Sequence, residues 1–292
     1  MWHNGLLFKL NSCNTPLYLQ KLTYSFLQNR QFSVKIGTKL SNKYNIPAGV
    51  PQGSILSPIL FCLYLHDLPK FNECESFLYA DDIAIATTSN DPLVIINNLE
   101  NSITDLQNYY HKWKIKINLV KTDIAFFTKK RALKYLPTRD LTILNEKIQW
   151  QTSIKYLGII LDKSLLFAKH IDYAIKRFNL YIKILYSFIN RNSKLSLKNK
   201  LILFKTIFRP VLTYGSPIWG NCAETHRNKL QIAQNKLLKT INNLPWFFST
   251  VKLHELSNIE KLNNYINKIN EKFVLTLQYS SNPLIREIQM PQ

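Results

Sequence analysis

The chain has 292 residues, 46% hydrophobic and 12% aromatic, which is room for one large or two ordinary domains with a substantial core and excludes long disordered stretches. Lys and Arg number 38 against 18 Asp and Glu, so the net charge is +20 and the pI about 9.7; a polyanion is the expected partner. A membrane-spanning helix is excluded, because the longest apolar run, 55–65, is broken by Ser57 and Pro58 and falls far short of the ~20 residues a bilayer needs.

In chain order, the first predicted element is an amphipathic helix over Thr15–Leu27, with Leu19, Leu22 and Phe26 at helical spacing. The period then changes. Phe32, Val34 and Ile36 alternate with polar residues, and Tyr44 and Ile46 resume the alternation after a polar loop, which predicts a β-hairpin. The segment Ile46–Ser54 contains two prolines and two glycines, so it is irregular and brings its backbone close to whatever binds there. Ser57 and Pro58 read as the cap and first residue of a helix to about His66, apolar nearly all round and therefore buried. A glycine-containing loop feeding a helix N-terminus suits an anion such as phosphate; it also serves as a plain connection.

Residues 76–86 place Asp81 and Asp82 between two short β-prone runs, which predicts a strand, a tight turn carrying the Asp pair, and a second strand. Two neighbouring carboxylates at a sheet rim repel one another, and a divalent cation relieves that repulsion. The same pattern also fits an ordinary polar hairpin tip. Asp91-Pro92 then opens a long helix with Ile96, Leu99, Ile103, Leu106, Tyr110 and Trp113 on its apolar face. Strands are predicted at 114–117, 124–127, 141–144, 147–150 and 155–161, with Gly158 allowing a bend. From Ser164 onward helical periodicity dominates, so a boundary is expected between 1–163 and 164–292. Three apolar stripes follow: Ile171–Leu185, Leu197–Phe208 and Leu230–Ile241, the last with Arg227, Lys229, Lys236 and Lys239 on its polar side. Those four cations form either a solvated face or a track for a phosphate backbone.

The four cysteines lack the spacing of a zinc site and read as reduced, mostly buried thiols of an intracellular protein; Met1–Gly5 lacks the pattern of a secretion signal. Taken together, the blocks Tyr79-Ala80-Asp81-Asp82, Val50–Ser54 with the helix up to Asp67-Leu68-Pro69, Trp113–Asn118 through Lys121-Thr122, and Lys155–Gly158 with Leu161-Asp162 resemble the reverse transcriptases of non-LTR retrotransposons of the jockey-like type. Arg209–Gly220, Gln234-Asn235-Lys236 and Leu253–Leu256 are similar to the thumb region of the same elements.

That resemblance implies an α+β right-hand polymerase: partial fingers and an antiparallel palm sheet with packed helices over 1–163, then an all-helical thumb over 164–292. It implies RNA-directed DNA polymerase activity, with an RNA template, a DNA primer and dNTPs as partners, in a nuclear or cytoplasmic ribonucleoprotein. Asp81 and Asp82 are then the catalytic ligands of two Mg2+ ions, a role Mn2+ also fills. Pro51, Gln52, Gly53, Tyr79, Ala80 and Lys121 face the nucleotide, the template base or the primer end. Tyr156, Leu157 and Gly158 form a primer grip, and Arg227, Lys229, Lys236 and Lys239 the thumb's nucleic-acid face. The family's first catalytic Asp lies upstream of the block that Trp2–Leu7 matches, so a truncated chain of poor activity is expected. The rival readings are a catalytically dead nucleic-acid-binding remnant and an intron maturase, against which the thumb-like blocks argue.

Overall fold

The computed structural model describes residues 1–129, 137 and 139–286. The described residues form two compact units, one of Met1–Phe126 with the described part of Lys130–Gln151, the other of Phe127–Lys129 with Thr152 onward.

The first unit opens with helix α1 (His3–Ser12), which the sequence reading did not isolate, and α2 (Leu17–Leu27). The predicted apolar face of α2 is largely exposed at Leu19 and Leu22, and only Leu27 is buried. The hairpin expected next is nested: β1 (Gln31–Phe32) pairs with β4 (Tyr44–Asn45), and inside it β2 (Lys35–Ile36) pairs with β3 (Lys39–Leu40). Helix α3 (Leu56–Tyr64) begins before Ser57, so Ser57 is not its cap; its hydroxyl instead donates to Pro51 O at 2.5 Å. Nor is α3 buried all round. Ser57, Leu60 and Tyr64, at helical spacing, face the core, while Ile59 is half exposed.

After α3 come β5 (Glu75–Tyr79) and β6 (Asp82–Ala86), then α4 (Pro92–Lys112), capped by Asp91, whose carboxylate accepts from Leu93 N at 2.9 Å. The strand expected at 114–117 does not form: Lys114 turns at φ 53° and Ile115 N donates to Tyr110 O at 2.8 Å, closing the end of α4, and Lys121 ends a single 3₁₀ turn, Leu119–Lys121. The remaining strands are β7 (Ile124–Ala125), β8 (Leu141–Ile143), β9 (Glu146–Ile148) and β10 (Trp150–Gln151). β8 and β9 form the expected hairpin; β7 and β10 pair in parallel, a non-local match. The core gathers Leu6, Leu10, Leu27, Leu60, Tyr64, Tyr109 and Trp113.

A single antiparallel sheet is not what forms. Among the described residues the strands pair two by two, and none has a partner on both edges. Strands this short, set between turns and irregular loops, offer few ladder hydrogen bonds with which to recruit a third. The architecture is thus mixed helix and small sheets, consistent with the α+β expectation at that level.

The second unit joins the hairpin β11 (Ser153–Tyr156) and β12 (Ile159–Asp162) to a set of helices: α5 (Ala168–Ile184), α6 (Tyr186–Ile189), α7 (Leu197–Leu203), α8 (Arg209–Thr213), α9 (Ser216–Trp219), α10 (Glu224–Ile241), α11 (Thr250–Ser257), α12 (Leu262–Gln278) and α13 (Pro283–Arg286). A π-helical turn, Phe204–Phe208, links α7 to α8. All three predicted stripes enter one core through Ile171, Phe178, Phe204, Phe208, Leu230, Leu237, Leu238 and Ile241. The four cysteines are free, but only Cys74 is buried, against the expectation of mostly buried thiols. Among the described residues no helix is long and apolar enough to cross a membrane.

Candidate functional site

The acidic hairpin is a regular antiparallel ladder from Glu75↔Ala86 to Tyr79↔Asp82. Its two-residue turn is Ala80-Asp81, not Asp81-Asp82. Ala80 takes the left-handed φ of 53°, Asp81 completes the turn, and Asp82 is the first residue of the returning strand, directly across from Tyr79. Both carboxylates are exposed, and among the described residues neither has a side-chain hydrogen bond or an ion pair. The hairpin is held at its base: Thr87 Oγ1 donates to Glu73 O at 2.7 Å and Cys74 Sγ to Asn98 O of α4 at 3.5 Å. The tip therefore projects with its acceptors free. Two free carboxylates suit a magnesium ion, which takes one or two protein carboxylates and completes its shell with phosphate oxygens and water. No group of three or more His, Cys, Asp or Glu placed to hold a metal ion occurs among the described residues.

The irregular loop before α3 is fixed from the N-terminus. Trp2 bridges Ala48, Gly49 N donates to Met1 O at 2.8 Å, and His3 Nε2 lies 2.8 Å from Gly49 O. Gln52 and Gly53 stay exposed and Pro51 is half-buried. Gly53 has φ +84° with open space where a side chain would stand, so the backbone conformation alone calls for glycine. Among the described residues no side-chain hydrogen bond or ion pair joins Gln52, Lys121 and the hairpin tip to one another. Lys121 is exposed.

In the second unit, Leu157 (φ 45°) and Gly158 (φ 84°) make the two-residue turn of β11–β12, the pattern that matches the strands' twist. Tyr214 OH donates to Leu157 O at 2.9 Å, and its ring lies 3.0 Å from where a Cβ on Gly158 would stand. Tyr156 flanks that turn on β11. The four cations of α10 divide. Lys229 is paired with Asp172 at 2.9 Å, Lys239 donates to Trp246 O at 2.5 Å, Lys236 is exposed, and Arg227 is half-buried. At 100° per residue Arg227 lies across the helix from Lys236.

A family profile described as "Reverse transcriptase (RNA-dependent DNA polymerase)" matches residues 1–161, more than half of the chain. The chain belongs to the reverse transcriptase family. It is 34% identical over 297 residues to the RNA-directed DNA polymerase from mobile element jockey of Drosophila funebris, covering 99% of this chain and 32% of that protein. It is 30% identical over 289 residues to the probable RNA-directed DNA polymerase from transposon X-element of Drosophila melanogaster, covering 97% of this chain and 31% of that protein. The chain thus spans about a third of the length of these curated relatives. The family uses divalent metal ions, in keeping with the exposed carboxylate pair.

Sequence reasoning missed one feature of this reverse transcriptase domain. Lys9 of α1 is 2% exposed, and its ammonium donates to Tyr64 O at 2.6 Å, to Tyr109 OH at 2.8 Å and to Asp67 Oδ1, 3.8 Å from the centre of the Trp113 ring. Burial pushes the Lys9 pKa down, partly offset by Asp67. Burial pushes the Asp67 carboxyl up, but hydrogen bonds from Lys9 and Tyr109 outweigh it, and the net position is below the ordinary value. Burial, reinforced by Asp67, drives the Tyr109 phenol far up, so it stays a neutral donor to Asp67 at 2.7 Å. The available signal was a lysine one residue from Leu10 and three from Leu6 in an otherwise apolar turn. Two blocks read as thumb-like also meet: His254 Nε2 lies 3.0 Å from Asn235 Oδ1.

Proposed function

We propose that this chain is the polymerase core of an RNA-directed DNA polymerase from a non-LTR retrotransposon, extending a DNA primer on an RNA template. The observation that carries the proposal is the projecting Tyr79–Asp82 turn, whose two carboxylates are exposed and unpaired at the end of a hairpin anchored to α4. On this reading residues 1–163 are partial fingers and palm and 164–292 the thumb. Asp81 and Asp82 hold the divalent ions, which when bound neutralise the triphosphate and activate the primer hydroxyl. Gln52 and Gly53 present an open backbone segment to the nucleotide and template base. Lys121 supplies a positive charge for the triphosphate, and the tight Leu157-Gly158 turn supports the primer. Recognition is by phosphate charge and hybrid shape, so affinity falls steeply with salt.

The test is template-directed extension of an RNA-annealed DNA primer with dNTPs and Mg2+. Asp81→Asn and Asp82→Asn each abolish incorporation while leaving hybrid binding within about twofold; incorporation that survives Asp81→Asn refutes the assignment. A second reading, a nucleic-acid-binding domain without catalysis, is supported by the net charge of +20, which binding to a polyanion alone accounts for. Hybrid binding with no incorporation by the unaltered chain selects it.

A further inference from the structure

The second unit contains a cavity of about 200 Å3, between the end of α6, the start of α7 and the end of α10. Its polar lining is Arg191, Ser193, Lys200, Asn242 and Asn243, with no carboxylate among the lining residues. Lys200 is 4% exposed, and its ammonium donates to Asn190 O at 2.8 Å. Capping that carbonyl occupies one of three protons. Among the described residues no carboxylate lies within ion-pair distance of Lys200, although a buried charge is ordinarily paired. Arg191 adds a second cation with a fork of donors suited to phosphate oxygens. The volume is several times the ~30 Å3 of a water, enough for a phosphate group with attendant water.

We propose that this cavity is a phosphate-binding site, and that the phosphate it takes belongs to a nucleic-acid strand. The second half rests on the function proposed above; the first does not. None of these residues is among the α10 cations read from the sequence. A strand contact here places one backbone phosphate at the α6–α7 turn.

The test uses the full chain and two variants that spare Lys200, whose loss threatens folding. Arg191→Gln removes an exposed cation, and Asn243→Asp puts a negative charge into the lining at a position (φ 55°) that Asp tolerates. Inorganic phosphate, against chloride at equal ionic strength, raises the thermal midpoint of the parent and not of either variant. Equal protection of all three overturns the site. Binding of a short RNA–DNA hybrid is then measured against salt. Arg191→Gln lowers the slope of log affinity on log salt by about one and weakens binding at every hybrid sequence alike. An unchanged slope, with phosphate protection still dependent on Arg191, overturns the strand as the source. A parent that binds no hybrid refutes the polymerase reading, while the phosphate measurement still decides the site.

Discussion

Replacing Lys9 with methionine keeps the aliphatic stem in its slot between α1, α3 and α4 and deletes the ammonium. Three hydrogen bonds and the contact with the Trp113 face go with it. Breaking a buried pair from one side costs about 3–5 kcal/mol, because the remaining charge is left without compensation. Here the remaining charge is on Asp67, which is 39% exposed and keeps the Tyr109 hydroxyl, so water recovers part of the loss. Tyr64 O is left with only a share of the same Tyr109 hydroxyl proton, 3.3 Å away. The expected cost is therefore near the low end, about 3 kcal/mol.

Chemical denaturation of the full chain, with Lys9→Met, Asp67→Asn and the double variant as a cycle, measures it. The two side chains share one hydrogen-bonded group, so the double variant costs less than the sum of the singles by about 1–2 kcal/mol. The pH dependence gives an independent check. Asp67 has a native pKa below its ordinary 3.8, so its contribution is fully present above that value and is lost as pH falls through the native one. The stability gap between parent and Asp67→Asn should accordingly close in acid. A Lys9→Met cost under ~1 kcal/mol, or strict additivity, refutes the view that this box ties α1 to the unit.

Gly158→Ala is strained at φ +84° and meets the Tyr214 ring, so it should cost more than the ~1 kcal/mol typical of such a backbone change; thermal unfolding reads it, with Tyr214→Phe losing about 1 kcal/mol for its bond to Leu157 O. Asp162 accepts from the amides of Ser164, Leu166 and Phe167, the last at 2.6 Å, and Asp162→Ala should cost about 2 kcal/mol in the same measurement. Gly215→Ala drives a Cβ to 2.5 Å from Ile159 Cδ1 at φ +66° and should destabilise more than Gly158→Ala; hydrogen exchange would show the β11–β12 amides loosening first.

What the sequence made legible were features carried by short-range rules. The Asp91-Pro92 start of α4, the pairing of β8 with β9 and the apolar stripes of α5 and α10 each depend on residues close to one another in the chain. The acidic hairpin was placed correctly for the same reason, and its turn was off by one. Asp is the residue expected to accept a left-handed φ, yet Ala80 takes it, because the Tyr79↔Asp82 pairing fixes the register and leaves that conformation to whichever residue stands first in the turn.

Features that depend on distant partners were not readable in that way. Lys9 in an apolar helix reads as a stray surface charge until Asp67, 58 residues on, and Tyr109 are seen to surround it. A strand at 124–127 was expected and β7 forms there, but its parallel match with the two-residue β10 joins positions too far apart in the chain for any local pattern to mark. The thumb-like cations show the converse. A basic stripe in sequence suggests one uniform track, but Lys229 is paired with Asp172 and Arg227 lies on the other side of α10 from Lys236. Charge available to a phosphate is what remains after such internal pairing. By that measure Arg191 and the carboxylate-free Lys200 are stronger candidates than Lys229, although no sequence pattern marks them.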